Sequence, residues 1–256
     1  MRTIWAIAKV SINELIRKKD FYVLFIFMLV MLGFLSIQNF FDIEGITRYV
    51  RDFGYTLVML FSFIIAVTFS AKQIPEEIER KTIYPLLAKP VSRFNLVAGK
   101  FLGGIIVSTA SFLLYYGLFA AFYLSGGESI SVVLLIQGFI FGILFLCMVC
   151  ALAVFFSNFL TVSANVSISI ILYFVMISFS DQFRQAILYS EKPLSVSLGF
   201  IYYILPHLDF YDLRIRLAHS WDPLAIWVIA AVVTYTVCYC LFLLYISGKM
   251  FQRKQL

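Results

Sequence analysis

Residues 73–104 read QIPEEIERKTIYPLLAKPVSRFNLVAGKFLGG, a stretch holding three Glu, two Arg and three Lys between two runs apolar enough for lipid. Prolines stand at 75, 85 and 90. Proline is tolerated at the first position of a helix, where its missing N–H is not needed. Glu76, Glu77 and Glu79 follow, and acids there favour the positive end of the helix dipole. A short helix is therefore predicted from Pro75, ended or kinked near Tyr84 by Pro85. Lys89-Pro90 makes a second break, and Ser92 is placed to cap the helix that runs on into the next apolar run. The expected result is a short, rigid element at a membrane surface, since a floppy loop would be richer in Gly and Ser. The bland alternative is a solvated charged loop with incidental prolines.

The rest of the chain places this element in a membrane protein. Of 256 residues, 62% are hydrophobic and 13% charged, with mean hydropathy +0.95. A soluble domain is roughly half apolar and a quarter charged. The 28 Phe suit lipid-facing helices and interfacial belts. No cleavable signal peptide is expected, because the first twenty residues carry charges throughout and lack an apolar core before a small-residue cleavage site. The first span would then act as the insertion signal. About 20 apolar residues cross a hydrocarbon core of roughly 30 Å. Six stretches qualify, at 21–41, 54–71, 98–124, 132–157, 160–180 and 223–247. The predicted fold class is an all-α integral membrane protein of six transmembrane helices. Residues 1–20 form an interfacial helix, 21–256 the six-span domain, 72–97 a surface segment on one side, and 181–222 the longest segment on the other.

Charge sets the orientation. The two ends and the 72–100 segment carry 14 of the 20 basic residues and 5 of the 14 acids, so this side is predicted to be cytoplasmic. Both termini then lie inside. The basic balance reads as a topology signal; nucleic acid is a poor partner, because the charge is split among separate loops. Residues 1–19 carry Ile4, Trp5, Ala8, Ile12, Leu15 and Ile16 on one helical stripe, as in a helix lying in the membrane interface.

The stretch EEIERKTIYPLLAKPVSRFNLVAGKFLG resembles the signature of permease subunits of type-two ABC transporters: an acidic pair, a basic residue, an apolar pair, a KPVSR-like turn and a Gly-Lys before the next span. Glu76, Glu77, Arg80, Lys81, Leu86, Leu87, Lys89, Pro90, Ser92, Arg93, Gly99 and Lys100 match it. YYILPHLDFYDLR (202–214) resembles the stretch before the last span in the subgroup that includes the copper-processing permease of nitrous-oxide reductase maturation. The resemblance implies the type-two ABC exporter fold in a bacterial or archaeal cytoplasmic membrane, with Pro75 to Lys89 as the coupling helix that docks on a cytoplasmic ATPase subunit. It also implies two ATPase copies holding ATP and Mg, a second and identical permease chain, surrounding lipid, and an extracytoplasmic partner or outer gate at Pro206, His207, Asp209, Asp212 and Arg214. Such a chain exports a substrate or transmits force. The substrate is open among lipid, peptide, antibiotic, polysaccharide and a sulfur or copper species.

Other chemistry weighs less. There is no G-x-x-x-x-G-K-[ST] sequence, so the chain has no ATPase site or bound cofactor of its own. No Asp, Glu, Lys, Arg or His falls inside a predicted span except Lys100 at one edge, which disfavours a channel or secondary carrier; ion-coupled carriers need such groups in the membrane. A force-transmitting scaffold without transport is a further alternative. EEIER hints at an intramembrane protease pattern, EExxxR, but Lys81 stands where that Arg belongs. Such enzymes also need His on neighbouring spans, whereas His207 and His219 fall in the outer segment. Cys147 and Cys150 would share a helix face and could hold a soft metal. Small apolar packing is the stronger reading of these thiols, and no metal site is predicted. Gly99, Gly103, Gly104 and Ser108 allow close helix contact, expected within the one chain. The apolar run Val196–Leu205 is too short to span and is read as a re-entrant or interfacial helix ended by Pro206.

Overall fold

The structure, a computed structural model, describes residues 22–23, 25–27, 29–31, 33, 46–79, 93–125, 131–189 and 205–253. All regular elements among them are helical. In order they are α1 (Ile46–Lys72), α2 (Pro75–Glu79), α3 (Arg93–Ser125), α4 (Val132–Phe156), α5 (Val162–Tyr189), a 3-10 turn (Leu208–Tyr211), α6 (Arg214–Ala218) and α7 (Ile226–Arg253). Five of these, α1, α3, α4, α5 and α7, are long and apolar enough to cross a membrane. The described residues from 22 to 33 are helical too. They lean on the bundle where Phe25 stacks on Tyr115 and Phe27 meets Phe61 edge-on. The interfacial helix 1–20, residues 80–92 and the run Val196–Ile204 lie outside the described residues.

The helices alternate in direction. α1 leaves a cap built from residues 205–224 and ends at the elbow before α2. α3 returns from the elbow end, beginning beside α7, where a Cβ on Gly248 would lie 2.6 Å from the Phe94 ring. α4 descends again, and its end is tied to α7 by the Asn158 Nδ2 bond to Ser247 Oγ, 2.7 Å. Among the described residues, members of the two groups of basic residues separated by sequence fall at opposite ends: Lys72, Lys100 and Lys249 at the elbow end, Arg51, Arg214 and Arg216 at the cap.

Helix α4 is apolar all round and begins at Ser131, whose hydroxyl accepts from the Leu134 N–H. A helix without a polar face belongs inside a bundle. Two of its glycines, one turn apart, receive aromatic rings from α3. A Cβ at Gly142 would strike the Phe112 ring, and one at Gly138 would lie 2.7 Å from the Tyr116 hydroxyl, which donates to the Leu135 carbonyl. Gly99, Gly103, Gly104 and Ser108 on α3 are buried within the chain. Of its apolar window, α1 buries 72% and α7 17%, so α1 is central and α7 turns most of itself outward.

Helices run past the expected spans, while α3 begins at Arg93, directly after Ser92, as its expected cap implied. The second span was expected from residue 54, but α1 begins at Ile46 and takes Arg51 and Asp52 into the helix. Their charges made this turn look like loop; the cap supplies their partners. The fifth span was expected at 160–180, and the apolar part of α5 long enough to cross a membrane is Val162–Phe179; the helix itself runs on to Tyr189 with Asp181 and Arg184 on its last turns. Lys100 is not at a fringe: it lies two turns into α3 and is buried. Charged residues therefore enter the ends of the long helices, while their middles stay apolar.

Candidate functional site

Two places concentrate polar groups, one at each end of α1. At the elbow, Gln73 and Ile74 turn the chain and Pro75 opens α2. Ile74 is fully buried, its carbonyl accepts from the Ile78 N–H at 3.2 Å, and Ile78 packs against the core. Two apolar side chains thus anchor α2 to the bundle while Glu79 stays exposed. Gln73 is 6% exposed, and neither its amide nitrogen nor its amide oxygen has a hydrogen-bond partner. Beside it, α3 and α4 approach closely at Gly104, against which Ser70 and Cys150 lie. Cys150 shares a contact with Ser108 Oγ at 3.5 Å. Of the residues the coupling reading names, Pro75, Glu76 and Glu77 lie on α2, and Arg93 opens α3. Arg80, Lys81, Leu86, Leu87, Lys89 and Pro90 lie outside the described residues.

The cap is a set of named ties. Pro206 and His207 are buried; the His207 ring stacks on Phe210 at 5.0 Å, and the His207 backbone N–H donates to Tyr235 Oη on α7. Tyr211 Oη pairs with Thr236 Oγ1 at 2.7 Å, and burial holds its phenol well above the ordinary range, so it stays neutral. Asp212 Oδ1 accepts from the Arg214 N–H at 2.9 Å. Arg214 Nε reaches Asp52 Oδ1 on α1 at 3.2 Å, and Arg51 Nη1 donates to Ser220 Oγ at 3.5 Å. Ser220 adopts a left-handed backbone, φ 50°, a conformation costing about 1–2 kcal/mol for an L-residue. Buried Gln137 on α4 closes the cap: its Nε2 donates to the Leu224 carbonyl at 2.9 Å and its Oε1 accepts from the Leu224 N–H at 2.8 Å. His207, Asp212 and Arg214, grouped in one segment by sequence reasoning, sit in this layer. Sequence reasoning missed Arg51, Asp52 and Gln137. The signal available was charge: an Arg-Asp pair at the start of an apolar run asks for a partner.

Beneath the cap is a cavity of about 220 Å³ between α1, α5 and the turn at Leu208. Tyr55, Tyr173 and Tyr211 line it, with Asp212 and Arg214 at its polar end and Met59, Phe145 and Ile177 along its apolar wall. All four cysteines are free, and no group of three or more His, Cys, Asp or Glu that could hold a metal occurs among the described residues. Cys147 and Cys150 thus gain no third ligand there.

A family model described as an ABC-2 family transporter protein matches residues 5–245. The chain belongs to the ABC-2 transporter family. No curated protein matches it. Membership makes this ABC-2 permease a multi-pass membrane subunit of a transporter, not itself catalytic, and it implies association with an ATPase subunit. In the permease, the elbow and the cap are joined by one helix: Asp52 and Lys72 are about 30 Å apart along α1 at 1.5 Å per residue.

Proposed function

We propose that this ABC-2 permease couples ATP hydrolysis on separate cytoplasmic ATPase subunits to outward movement of a substrate, working as a pair of identical permease chains in a bacterial or archaeal cytoplasmic membrane. The observation that carries this is the short helix Pro75–Glu79, anchored by buried Ile74 and partly buried Ile78 and placed directly at the end of α1. Closure of the ATPase pair, with ATP and Mg bound, displaces α2. Pro75 to Lys89 is the coupling segment, with Glu76, Glu77, Arg80, Lys81, Leu86, Leu87, Lys89, Pro90 and Arg93 as its contact residues. The elbow end faces the cytoplasm, as its basic residues favour.

The ties from α1 to the cap favour a second version of the same machine, in which the cap passes force to an extracytoplasmic partner. Residues 202–214, with their resemblance to the copper-processing subgroup, support that version.

Co-purification from the native host, followed by ATPase assays, tests the reading. The expected result is a co-purifying ATPase whose turnover falls in Glu77→Lys. An intact, folded permease with no ATPase bound, or a cysteine label at Glu79 reachable only from outside, overturns it.

A further inference from the structure

The cavity beneath the cap changes character with depth in the membrane, and two helices give the scale. The apolar window of α1 begins at Arg48 and has 25 residues, where about 20 cross the hydrocarbon core, so its first turn extends past that core. Asp52 stands about 6 Å into the window at 1.5 Å per residue, and Met59 and Leu60 lie about 10–12 Å deeper. Arg214, 3.2 Å from Asp52, is therefore near the rim of the hydrocarbon layer. The window of α5 ends at Phe179, which puts Ser178 at the same rim and Tyr173 and Phe174 below it. The polar lining thus sits at headgroup depth and the apolar lining at acyl-chain depth. The cavity opens sideways: α5 buries only 22% of its window, and the lining residue Phe174 is 53% exposed.

The polar end keeps a donor and an acceptor in reserve. Arg214 meets Asp52 and Asp212 through Nε alone. Among the described residues, its two terminal amino groups make no ion pair or hydrogen bond. Asp212 accepts from the Arg214 N–H through Oδ1, while its Oδ2 accepts no hydrogen bond there. We propose that the cavity holds one acyl chain of a zwitterionic phospholipid from the leaflet on the cap side, with the phosphate on the Arg214 terminal amino groups, the ammonium at Asp212 Oδ2 and the chain along Met59, Leu60 and Phe174. A guanidinium edge matches phosphate oxygens in pairs. A headgroup without the ammonium would bring its phosphate beside the Asp52 and Asp212 carboxylates with nothing to offset them. An empty apolar cleft forfeits the packing contacts that a chain supplies. The inference goes beyond the transporter reading and does not require ATPase coupling.

The test is photo-crosslinking of the purified permease in nanodiscs, using a trace of phosphatidylethanolamine or phosphatidylglycerol with a diazirine midway along one acyl chain, and adducts mapped by peptide mass spectrometry. The outward face of α7 at Leu241 and Phe242, 62% and 60% exposed, reports ordinary annular lipid. The expected result is phosphatidylethanolamine labelling at Met59, Leu60 or Phe174 at least fivefold above that on α7, and at least threefold above phosphatidylglycerol labelling of the same residues. Leu60→Trp fills the cavity without touching the charges, and Arg214→Gln removes the phosphate's partner. Each should bring cavity labelling down to the α7 level while α7 labelling stays unchanged, and Leu60→Trp keeps the test decisive if Arg214→Gln misfolds. Cavity labelling no stronger than on α7 means annular lipid only and overturns the proposal. So does a preference for phosphatidylglycerol, labelling unchanged in either folded variant, or a crosslink from the cavity to a second permease chain in place of lipid. ATPase association is measured separately, so failure here leaves the transporter reading standing.

Discussion

Arg214 Nε sits 3.2 Å from Asp52 Oδ1, joining the cap to the start of α1 although the two residues are far apart in sequence. The side chains are 35% and 41% exposed, and the contact lacks hydrogen-bond alignment. Exposed ion pairs contribute about 0.2–1 kcal/mol. A double-mutant cycle on Asp52→Ala and Arg214→Ala, read by thermal unfolding, should give a coupling energy in that range. A coupling of several kcal/mol would mean the pair is far better desolvated than its exposure indicates.

Gln137 carries more of the cap's stability than the ion pair. Its amide satisfies both backbone groups of Leu224 from a buried position. Gln137→Leu leaves those groups without their partner, at about 1–3 kcal/mol for a buried group left unsatisfied. The melting temperature should fall by more than in Asp52→Ala.

Gly142 accepts the Phe112 ring where a Cβ would stand. Overpacking a filled core costs about 1–3 kcal/mol. Gly142→Ala should lower the melting temperature. The double variant Gly142→Ala with Phe112→Leu should recover part of the loss, because the smaller side chain returns the space.

Gln73 points the other way. Both amide atoms are buried without partners, which disfavours the folded state by about 1–3 kcal/mol. Gln73→Leu should raise the melting temperature of the isolated permease. If the coupling reading is right, the same variant should lower transport-linked ATPase turnover, since a polar group kept at such cost beside α2 has use in another conformation. A lowered melting temperature would show that the amide is satisfied by water.

The apolar runs announced α3 and α4 closely, because a stretch that is apolar all round has one place to go. Pro75 announced the start of α2, since its geometry is local. What stayed illegible was long-range. Arg51 and Asp52 read as loop because their charges signal water to any local rule, while their actual partners, Ser220 and Arg214, arrive from the far end of the chain. The cavity was illegible for the same reason: Tyr55, Tyr173 and Tyr211 look like ordinary membrane aromatics until three segments bring them together. Lys100 read as an edge residue because its apolar run begins at residue 98, although Ser92 marked the start of the helix about two turns earlier.

The unbroken course of α1 from Asp52 to the elbow makes the cap a handle on the elbow. An antibody fragment that grips the cap across Ser220 and Trp221 holds the far end of the rod that leads into α2. On the coupling reading proposed above, such a binder, added on the cap side of sealed vesicles, becomes an inhibitor of ATP turnover at the elbow it never touches.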